Sequence, residues 1–359
     1  MMNESWKDFL KYCIHEDMAQ PASASDIDWK VLSGFMRKQA LIGVMMRGMN
    51  KLKGVKIPRE VIMQTFALSE QVKRNNQMLN KRSVEVAEQY REAGYKCCIL
   101  KGQGNALMYP DQYMRQPGDV DVWVSGSRDE IIRYVRGHHP EAEVRYFHAE
   151  YHEGGVPVEA HYMPAIMNNP MFNRRLQQFF SKAREEQCAH WVELPDGVGK
   201  IPVPTVEFNI VFQLCHLLHH FFDEGIGLRQ MMDYYFLLRE AKEKGVDKEA
   251  LAVDLKHLGL YKFAGAVMYV LIDVYGLDEN SIVAPVDERR GRTLLCEIMR
   301  GGNFGQYSGL SEHGTAAKYL LKNWRSLQLI REYPAEALAE PLFGTYHFLW
   351  RRGKQVRIK

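Results

Sequence analysis

The sequence predicts an α+β fold, in which a small sheet is flanked by N-terminal helices and a helical C-terminal domain. Three patterns indicate it: helical periodicity before residue 94, alternating short strands and helices up to residue 162, and renewed helical periodicity from residue 205. The chain has 359 residues, more than one compact domain usually holds. We therefore divide it into an N-terminal helical region (1–85), an α/β core (86–165), a connector (166–203) and a helical C-terminal domain (204–359).

The N-terminal region is expected to be a series of helices. Asp28 can cap a helix that continues to Ala40, because its carboxylate can accept hydrogen bonds from the first backbone N–H groups. Pro58 suits the first turn of a long helix, whose apolar residues recur at helical spacing up to Gly94.

The core alternates between strands and helices. A strand at 95–100 leads into a turn at Lys101 and Gly102, and a second strand follows a short helix. Ser127 and Glu130 form a capping-box pattern at the start of the next helix. Further strands are predicted at 143–147 and 156–162, with the turn between them at two glycines.

Prolines punctuate the connector, and we expect short segments there. Apolar helical patterns then predict a helical C-terminal domain, at 206–222, 228–238, 251–275, 293–299 and 316–329.

Two aspartates on one strand are the first candidate site residues. Asp119 and Asp121 project from the same side about 7 Å apart, while Val120, Val122 and Val124 pack behind them. Two like charges so close favour a neutralising cation, and Mg²⁺ is the natural one for oxygen ligands. A surface strand end with two solvated aspartates is the plainer alternative.

A third carboxylate strengthens the metal hypothesis. Glu159 lies inside a short apolar strand, where a lone carboxylate is otherwise hard to explain, and His161 shares its face. If the two strands are neighbours, Asp119, Asp121 and Glu159 converge at one point. His161 is then either a partner of Glu159 or a half-buried strand histidine.

These motifs together resemble the nucleotidyltransferase superfamily of the DNA polymerase beta type. The matching order is Leu100-Lys-Gly102, a helix, Arg115-x-x-Gly-Asp-x-Asp121, and then a hydrophobic residue before Glu159-x-His161. The chain is most similar to the bacterial group labelled uncharacterised nucleotidyltransferases, over roughly residues 25–240. Gly102 is followed by Gln103, where the superfamily usually has Gly-Gly or Gly-Ser.

The resemblance implies a small mixed-sheet nucleotidyltransferase core and a two-metal reaction. Two Mg²⁺ ions, or Mn²⁺ in their place, would be held by Asp119, Asp121 and Glu159 as catalytic residues. The partner would be a nucleoside triphosphate such as ATP, and the acceptor a hydroxyl, phosphate or amine on a small molecule, a protein or RNA. The alternative is a non-catalytic or regulatory nucleotide-binding module on the same fold.

Nucleotide-binding roles would fall to four residues near the glycine turn: Lys101, Gly102, Gln103 and Arg115. Gly102 lets backbone amides approach phosphate oxygens, and Lys101 or Arg115 can neutralise phosphate charge. Lys101 is equally well explained as a solvated strand-end lysine, and Arg115 as a salt-bridge clamp on the aspartate strand.

Several other residues remain open. Arg229 and Asp233 have the spacing of a surface i,i+4 salt bridge, but the resemblance also allows them, with His161, to line the substrate cleft. His216, His219 and His220 lack the glutamate of a zinc-binding helix, so packed or substrate-facing histidines are favoured over a zinc site.

Composition gives no strong case for DNA binding and no indication of a membrane location. Net charge is +3 with 25% charged residues, whereas nucleic-acid-binding domains are normally strongly basic. Six cysteines are scattered without C-x-x-C spacing, which is typical of reduced thiols, and no apolar run is long enough to cross a membrane. We expect a cytoplasmic protein.

Overall fold

Five strands form the central sheet of the computed structural model, which describes residues 2–303, 306 and 324–357. Their order across the sheet is β1-β2-β5-β4-β3. The strands are β1 (Cys97–Ile99), β2 (Val120–Val124), β3 (Glu143–Val144), β4 (His148–Glu153) and β5 (Val156–His161). β2 and β5 run parallel and the other neighbouring pairs antiparallel, so the sheet is mixed and the predicted α+β class is confirmed.

One face of the sheet is a purely apolar layer. Val120, Val122 and Val124 of β2 point to this face, as their alternation predicts. They are buried together with apolar residues of α4 (Arg59–Glu92) and α6 (Arg128–His138). Because successive side chains alternate, the other face of β2 carries Asp121 and Trp123.

Trp123 anchors that second face to the helical part of the protein. Its ring stacks on Phe208 of α8 (Val206–Phe222), with centroids 5.8 Å apart and an interplanar angle of 13°. The carboxylates of β2 and β5 therefore face α8, not bulk solvent.

The N-terminal region is helical, as predicted, and the helices that follow Asp28 and Pro58 begin close to their predicted positions. The first helices of this region are α1 (Glu4–Ile14), α2 (Trp29–Lys38) and α3 (Ile42–Lys51), and they precede α4. The Asp28 carboxylate caps α2 by accepting from the N–H groups of Lys30 and Val31, at 3.0 and 3.1 Å. α4 runs for 34 residues, and Pro58 lies at its N-cap, one position before the predicted first turn.

The strand predicted at 143–147 is wrong in extent. β3 has two residues, and β4 follows it without a predicted counterpart. β4 has the sequence His-Ala-Glu-Tyr-His-Glu, so its apolar alternation rests on Ala149 and Tyr151 alone. A pattern this short and polar gives little strand signal, and its place in the sheet comes from pairing with β5.

The connector contains regular structure that its prolines concealed. α7 (Pro170–Ala189) is 20 residues long, with Pro170 at its first position and Asn169 as its N-cap. A hairpin of β6 (Trp191–Leu194) and β7 (Gly199–Pro202) follows. The prediction of short segments is wrong here, because proline is tolerated in the first turn of a helix as well as in loops.

Helices form the C-terminal part, as predicted. After α8 come α9 (Leu228–Glu243), α10 (Lys248–His257), α11 (Tyr261–Tyr275), α12 (Glu288–Gly301) and α13 (Pro334–Arg357). The helix predicted at 316–329 lies mostly outside the described residues. One apolar cluster contains residues of these helices and of α1 to α3, so the two helical regions share a core. Among the described helices, none combines the length and apolar character that crossing a membrane requires.

Candidate functional site

The three predicted carboxylates meet at two inner strands of the sheet, β2 and β5. In the parallel ladder of β2 and β5, Asp121 lies directly opposite Glu159. Asp119 lies immediately before β2, two residues from Asp121. One carboxylate oxygen from each lies within 4.8 Å of the other two, so the structure brings all three together.

Two cationic side chains contact this cluster. Nζ of Lys101 lies 2.9 Å from Oδ1 of Asp121, and it also donates to Nε2 of His216 on α8 at 3.1 Å. Nε2 of His161 lies 3.0 Å from the same Asp121 oxygen and 3.2 Å from Oε2 of Glu159. Lys101 is thus a half-buried partner of the carboxylates, with 17% of its side chain exposed, and the solvated strand-end interpretation is wrong.

Crowding shifts the pKa values within the cluster. Burial and repulsion from Asp121 raise the pKa of Asp119 to about 6. Burial alone would raise the pKa of Asp121 as well, but Lys101 and His161 hold it well below its ordinary value. Burial would lower the pKa of His161, yet its hydrogen bonds to Asp121 and Glu159 outweigh this and raise it to about 9. The imidazole of His161 is therefore protonated at neutral pH when no other cation is present.

A cleft of about 440 Å³ opens over these residues. Its lining includes Lys101, Asp119, Glu159 and His161, then His216, His219 and His220 of α8, and Phe343 and His347 of α13. The α8 histidines therefore face the cleft, in agreement with the substrate-facing alternative. Within the described chain they do not form a three-ligand metal group of their own.

A second approach reaches the carboxylates from the other side of Lys101. A narrow cavity there is lined by Gly102, Gly118 and Arg229 as well as by Asp119. Gly118 and Arg229 also line a cleft of about 450 Å³ that extends to Arg37 and Lys38. The first approach is rich in histidine, whereas the second is rich in arginine and lysine.

Gly102 makes the turn between β1 and the short helix α5 (Gln103–Ala106). Its φ of 58° and ψ of −110° are readily adopted by glycine alone, which explains glycine at this position. The side chain of Gln103 points away from the carboxylates, donating to the backbone carbonyl of Asn76 at 3.3 Å and to the Asn80 side chain. Its proposed contribution to nucleotide binding is thus restricted to the backbone.

Arg115 and Asp233 form a buried link between the sheet and α9. Nε and a terminal nitrogen of Arg115 donate to the two carboxylate oxygens of Asp233, at 2.8 and 2.9 Å. The hydroxyl of Tyr109 donates to Asp233 at 2.6 Å, and Arg229 lies 3.6 Å away. Arg115 is the clamp that the sequence allowed, although its partner is on α9. Arg229 and Asp233 are both buried, so the surface salt-bridge interpretation is wrong.

His148 is the site residue that sequence reasoning missed. It is buried on β4, opposite His161, and burial lowers its pKa to about 3. No motif marks it, because its strand was not predicted.

Oxygen donors in this arrangement fit a hard divalent cation. The three carboxylates are close enough to share one, and their negative charge exceeds that of the cationic partners. Mg²⁺ binds through one or two protein carboxylates together with water and substrate phosphates. The donor set therefore suits Mg²⁺, with room left in the cleft for a substrate.

The α+β fold thus places carboxylates and an imidazole of its mixed sheet beside a cleft. This is the arrangement of a protein whose site can hold a metal ion. A model of the family described as uncharacterised nucleotidyltransferase matches residues 25–276. That match covers more than half of the chain, and the protein belongs to this family. The family implies a transferase with a nucleotide substrate. No curated protein and no solved structure gives a significant match.

Proposed function

We propose that this protein is a magnesium-dependent nucleotidyltransferase, which moves a nucleoside monophosphate from a nucleoside triphosphate to a hydroxyl, phosphate or amine acceptor. One observation carries the proposal: oxygens of Asp119, Asp121 and Glu159 lie within 4.8 Å of one another beside an open cleft. Family membership supports a nucleotide as the donor.

The carboxylates would hold the metal, as two Mg²⁺ ions or with Mn²⁺ in their place. Bound there, the metal would neutralise charge on the triphosphate and on the departing pyrophosphate. Glu159 is the proposed proton acceptor for the attacking group. Burial would raise its pKa, but hydrogen bonding from His161 and the nearby His148 keep it below its ordinary value, so the carboxylate is ionised at neutral pH.

Lys101 is the proposed phosphate-binding cation. Its Nζ contacts Asp121 and lines both approaches to the cluster, so a short side-chain movement brings it to a phosphate oxygen. Gly102 leaves the adjacent backbone accessible, since it carries no side chain. Arg115 is engaged by Asp233 through two of its nitrogens and lines the narrow cavity beside Asp119, from where its charge acts on the nucleotide.

Two approaches suit a reaction with two substrates. The approach containing Arg37, Lys38 and Arg229 is basic and attracts a triphosphate. The histidine-lined cleft then remains for the acceptor.

The six cysteines are free, which supports the cytoplasmic location expected from their spacing.

The test is metal-dependent release of pyrophosphate from a panel of nucleoside triphosphates and acceptors. Asp119→Asn should reduce turnover more than about 100-fold, because losing a direct ligand costs more than losing a residue that merely orients one. Glu150→Gln is the matched control. Glu150 lies opposite Glu159 on β4 and lines the same cleft, but it is outside the carboxylate group. Equal losses in both variants would contradict the assignment.

A non-catalytic nucleotide-binding module is the second candidate, and one observation favours it. Lys101 and His161 already place two cationic groups on Oδ1 of Asp121, so the cluster is partly neutralised without a metal ion. A module of this kind would bind a triphosphate with Mg²⁺ and show no turnover with any acceptor. Asp121→Ala would then bind the nucleotide as well as the unaltered protein.

A further inference from the structure

His148, Glu159 and His161 supply a second group of ligand atoms. It lies beside the proposed magnesium ligands Asp119, Asp121 and Glu159, which we call the magnesium set. In the second group, one ligand atom from each residue lies within 4.8 Å of the other two. His148 lies directly opposite His161 in the antiparallel ladder of β4 and β5, and their ring centroids are 5.1 Å apart. Glu159 shares the face of His161 because it precedes it by two residues on β5. Neighbouring strands thus present two imidazoles and a carboxylate at one point.

His161 is oriented as metal-bound histidines are. Its Nδ1 lies 3.3 Å from the carbonyl oxygen of Met163, and since a carbonyl only accepts, Nδ1 is the donor. Its Nε2 then faces carboxylate oxygens of Asp121 and Glu159. These oxygens are acceptors too, so a proton or a metal ion has to lie between them and Nε2. Histidines that bind a metal usually donate their other N–H to a carbonyl or carboxylate in this way.

His148 supplies an independent observation. Its side chain is buried, at 6% exposure, and Nδ1 has no hydrogen-bond partner among the residues that the structure describes. That nitrogen lies 3.6 Å from Oε2 of Glu159, which is too long for a hydrogen bond. A buried nitrogen without a partner is unfavourable, and this one faces the same oxygen as His161 does.

The separations match those between ligands of a single ion. Atoms bound to one tetrahedral ion at about 2.0–2.2 Å lie roughly 3.3–3.6 Å from each other. Here Oε2 of Glu159 lies 3.2 Å from Nε2 of His161 and 3.6 Å from Nδ1 of His148. We propose that His148, Glu159 and His161 bind one divalent transition-metal ion of the Zn²⁺ type.

Donor chemistry separates this site from the magnesium set. Imidazole nitrogens favour transition metals, whereas Mg²⁺ takes oxygen ligands. Three protein ligands leave a coordination position for water or a substrate atom, and all three residues line the cleft of about 440 Å³. The two sets share Glu159, but His148 belongs to this site alone and Asp119 to the magnesium set alone.

The test is titration of the full-length protein with Co²⁺, a spectroscopic substitute for Zn²⁺, followed by visible absorption and by competition with Zn²⁺. The expected result is tight binding of one Co²⁺ with absorption typical of nitrogen ligands, and affinity lowered more than about 10-fold in His148→Ala. His152→Ala is the matched control, since His152 is an exposed histidine of the same strand. No nucleotide is present, so the result is independent of the proposed transferase activity.

Thermal melting checks folding, and His148→Gln serves as a second variant that keeps a polar side chain of similar size. Co²⁺ should raise the melting temperature of the unaltered protein and of His152→Ala, but not of either His148 variant. Absence of Co²⁺ and Zn²⁺ binding, or equal affinity in the unaltered protein and a folded His148 variant, would overturn the proposal. A proton on Nε2 of His161, and not a metal ion, would then lie between the imidazole and the carboxylates.

Discussion

Two buried charge clusters lie next to each other in this fold and balance their charges differently. In the first, Asp233 is a single carboxylate that faces the guanidinium groups of Arg115 and Arg229 and the hydroxyl of Tyr109. Both Asp233 oxygens accept from Arg115, so the single negative charge is fully matched by its cationic partners, and we call this group the balanced cluster. Burial would raise the pKa of Asp233, but Arg115 and Arg229 hold it below its ordinary value.

In the second group, which we call the unbalanced cluster, negative charge is not fully matched by positive charge. Asp119, Asp121 and Glu159 face Lys101 and His161, so negative charge is in excess even with His161 protonated. This cluster lines the cleft of about 440 Å³, whereas Arg115 and Asp233 line the narrow cavity on the other side of Lys101. The comparison of the two clusters shows that burial and ion pairing alone do not identify a functional site. An excess of negative charge beside an accessible cavity does, because a bound cation then has to supply the missing positive charge.

Removing the central acid of the balanced cluster should have the largest effect on stability. Asp233→Ala leaves Arg115 buried without its partner, and we expect a loss of about 3–5 kcal/mol in the free energy of unfolding. Chemical denaturation measures it. Glu288→Ala is the control, because Glu288 pairs with Arg292 on an exposed helix face, where about 0–1 kcal/mol is expected. A similar small loss for Asp233→Ala would mean that the cluster is not structural.

Changing the unbalanced cluster should affect activity instead. Glu159→Gln keeps the shape of the side chain but removes its charge, and we expect pyrophosphate release to fall more than about 100-fold with stability largely retained. Parallel activity and unfolding measurements on this variant and on Asp233→Ala sharpen the contrast. If Glu159→Gln lowers the free energy of unfolding as much as Asp233→Ala does and keeps its specific activity, the distinction between the two clusters is lost.

A smaller effect is expected from one hydrogen bond of the balanced cluster. Tyr109→Phe removes the hydroxyl that donates to Asp233, and hydrogen bonds to charged groups contribute about 1.5–3 kcal/mol. Tyr113→Phe is its counterpart, because Tyr113 makes an exposed hydrogen bond to Asp196. The free energy of unfolding of Tyr113→Phe should fall by no more than about 0.5 kcal/mol, as is usual for surface substitutions. Equal losses would show that burial adds nothing to the Asp233 contact.

A pH dependence of stability is also expected in the metal-free protein. The pKa of Asp119 is raised to about 6, so the folded state binds a proton more tightly than the unfolded state does. Stability from this group is present at low pH and decreases as pH rises through about 4 to 6. The free energy of unfolding, measured across that pH range, should decline less steeply in Asp119→Asn than in the unaltered protein. Asp233, with a lowered pKa, stays ionised there and gives no such slope.

Short-range patterns in the sequence correctly predicted much of the local structure. Asp28 caps α2, and the valines of β2 alternate into the core, because capping and side-chain alternation depend on residues a few positions apart. The spacing of Asp119 and Asp121 placed both carboxylates on one side for the same reason.

Longer-range features were decided by the tertiary structure. β4 has too weak a pattern to be predicted, so the sequence gives no reason to place His148 opposite His161. Arg115 and Asp233 are 118 residues apart, and nothing local indicates that they pair.

The sequence by itself determined which residue types are present, their helix caps and strand faces, and a resemblance that family membership confirms. Only the tertiary structure decided that Glu159 lies beside Asp121 while Asp233 is matched by Arg115. The physical reason is that a carboxylate's role depends on the charges and cavities around it. Those neighbours come from segments far apart in the chain, and packing alone brings them together.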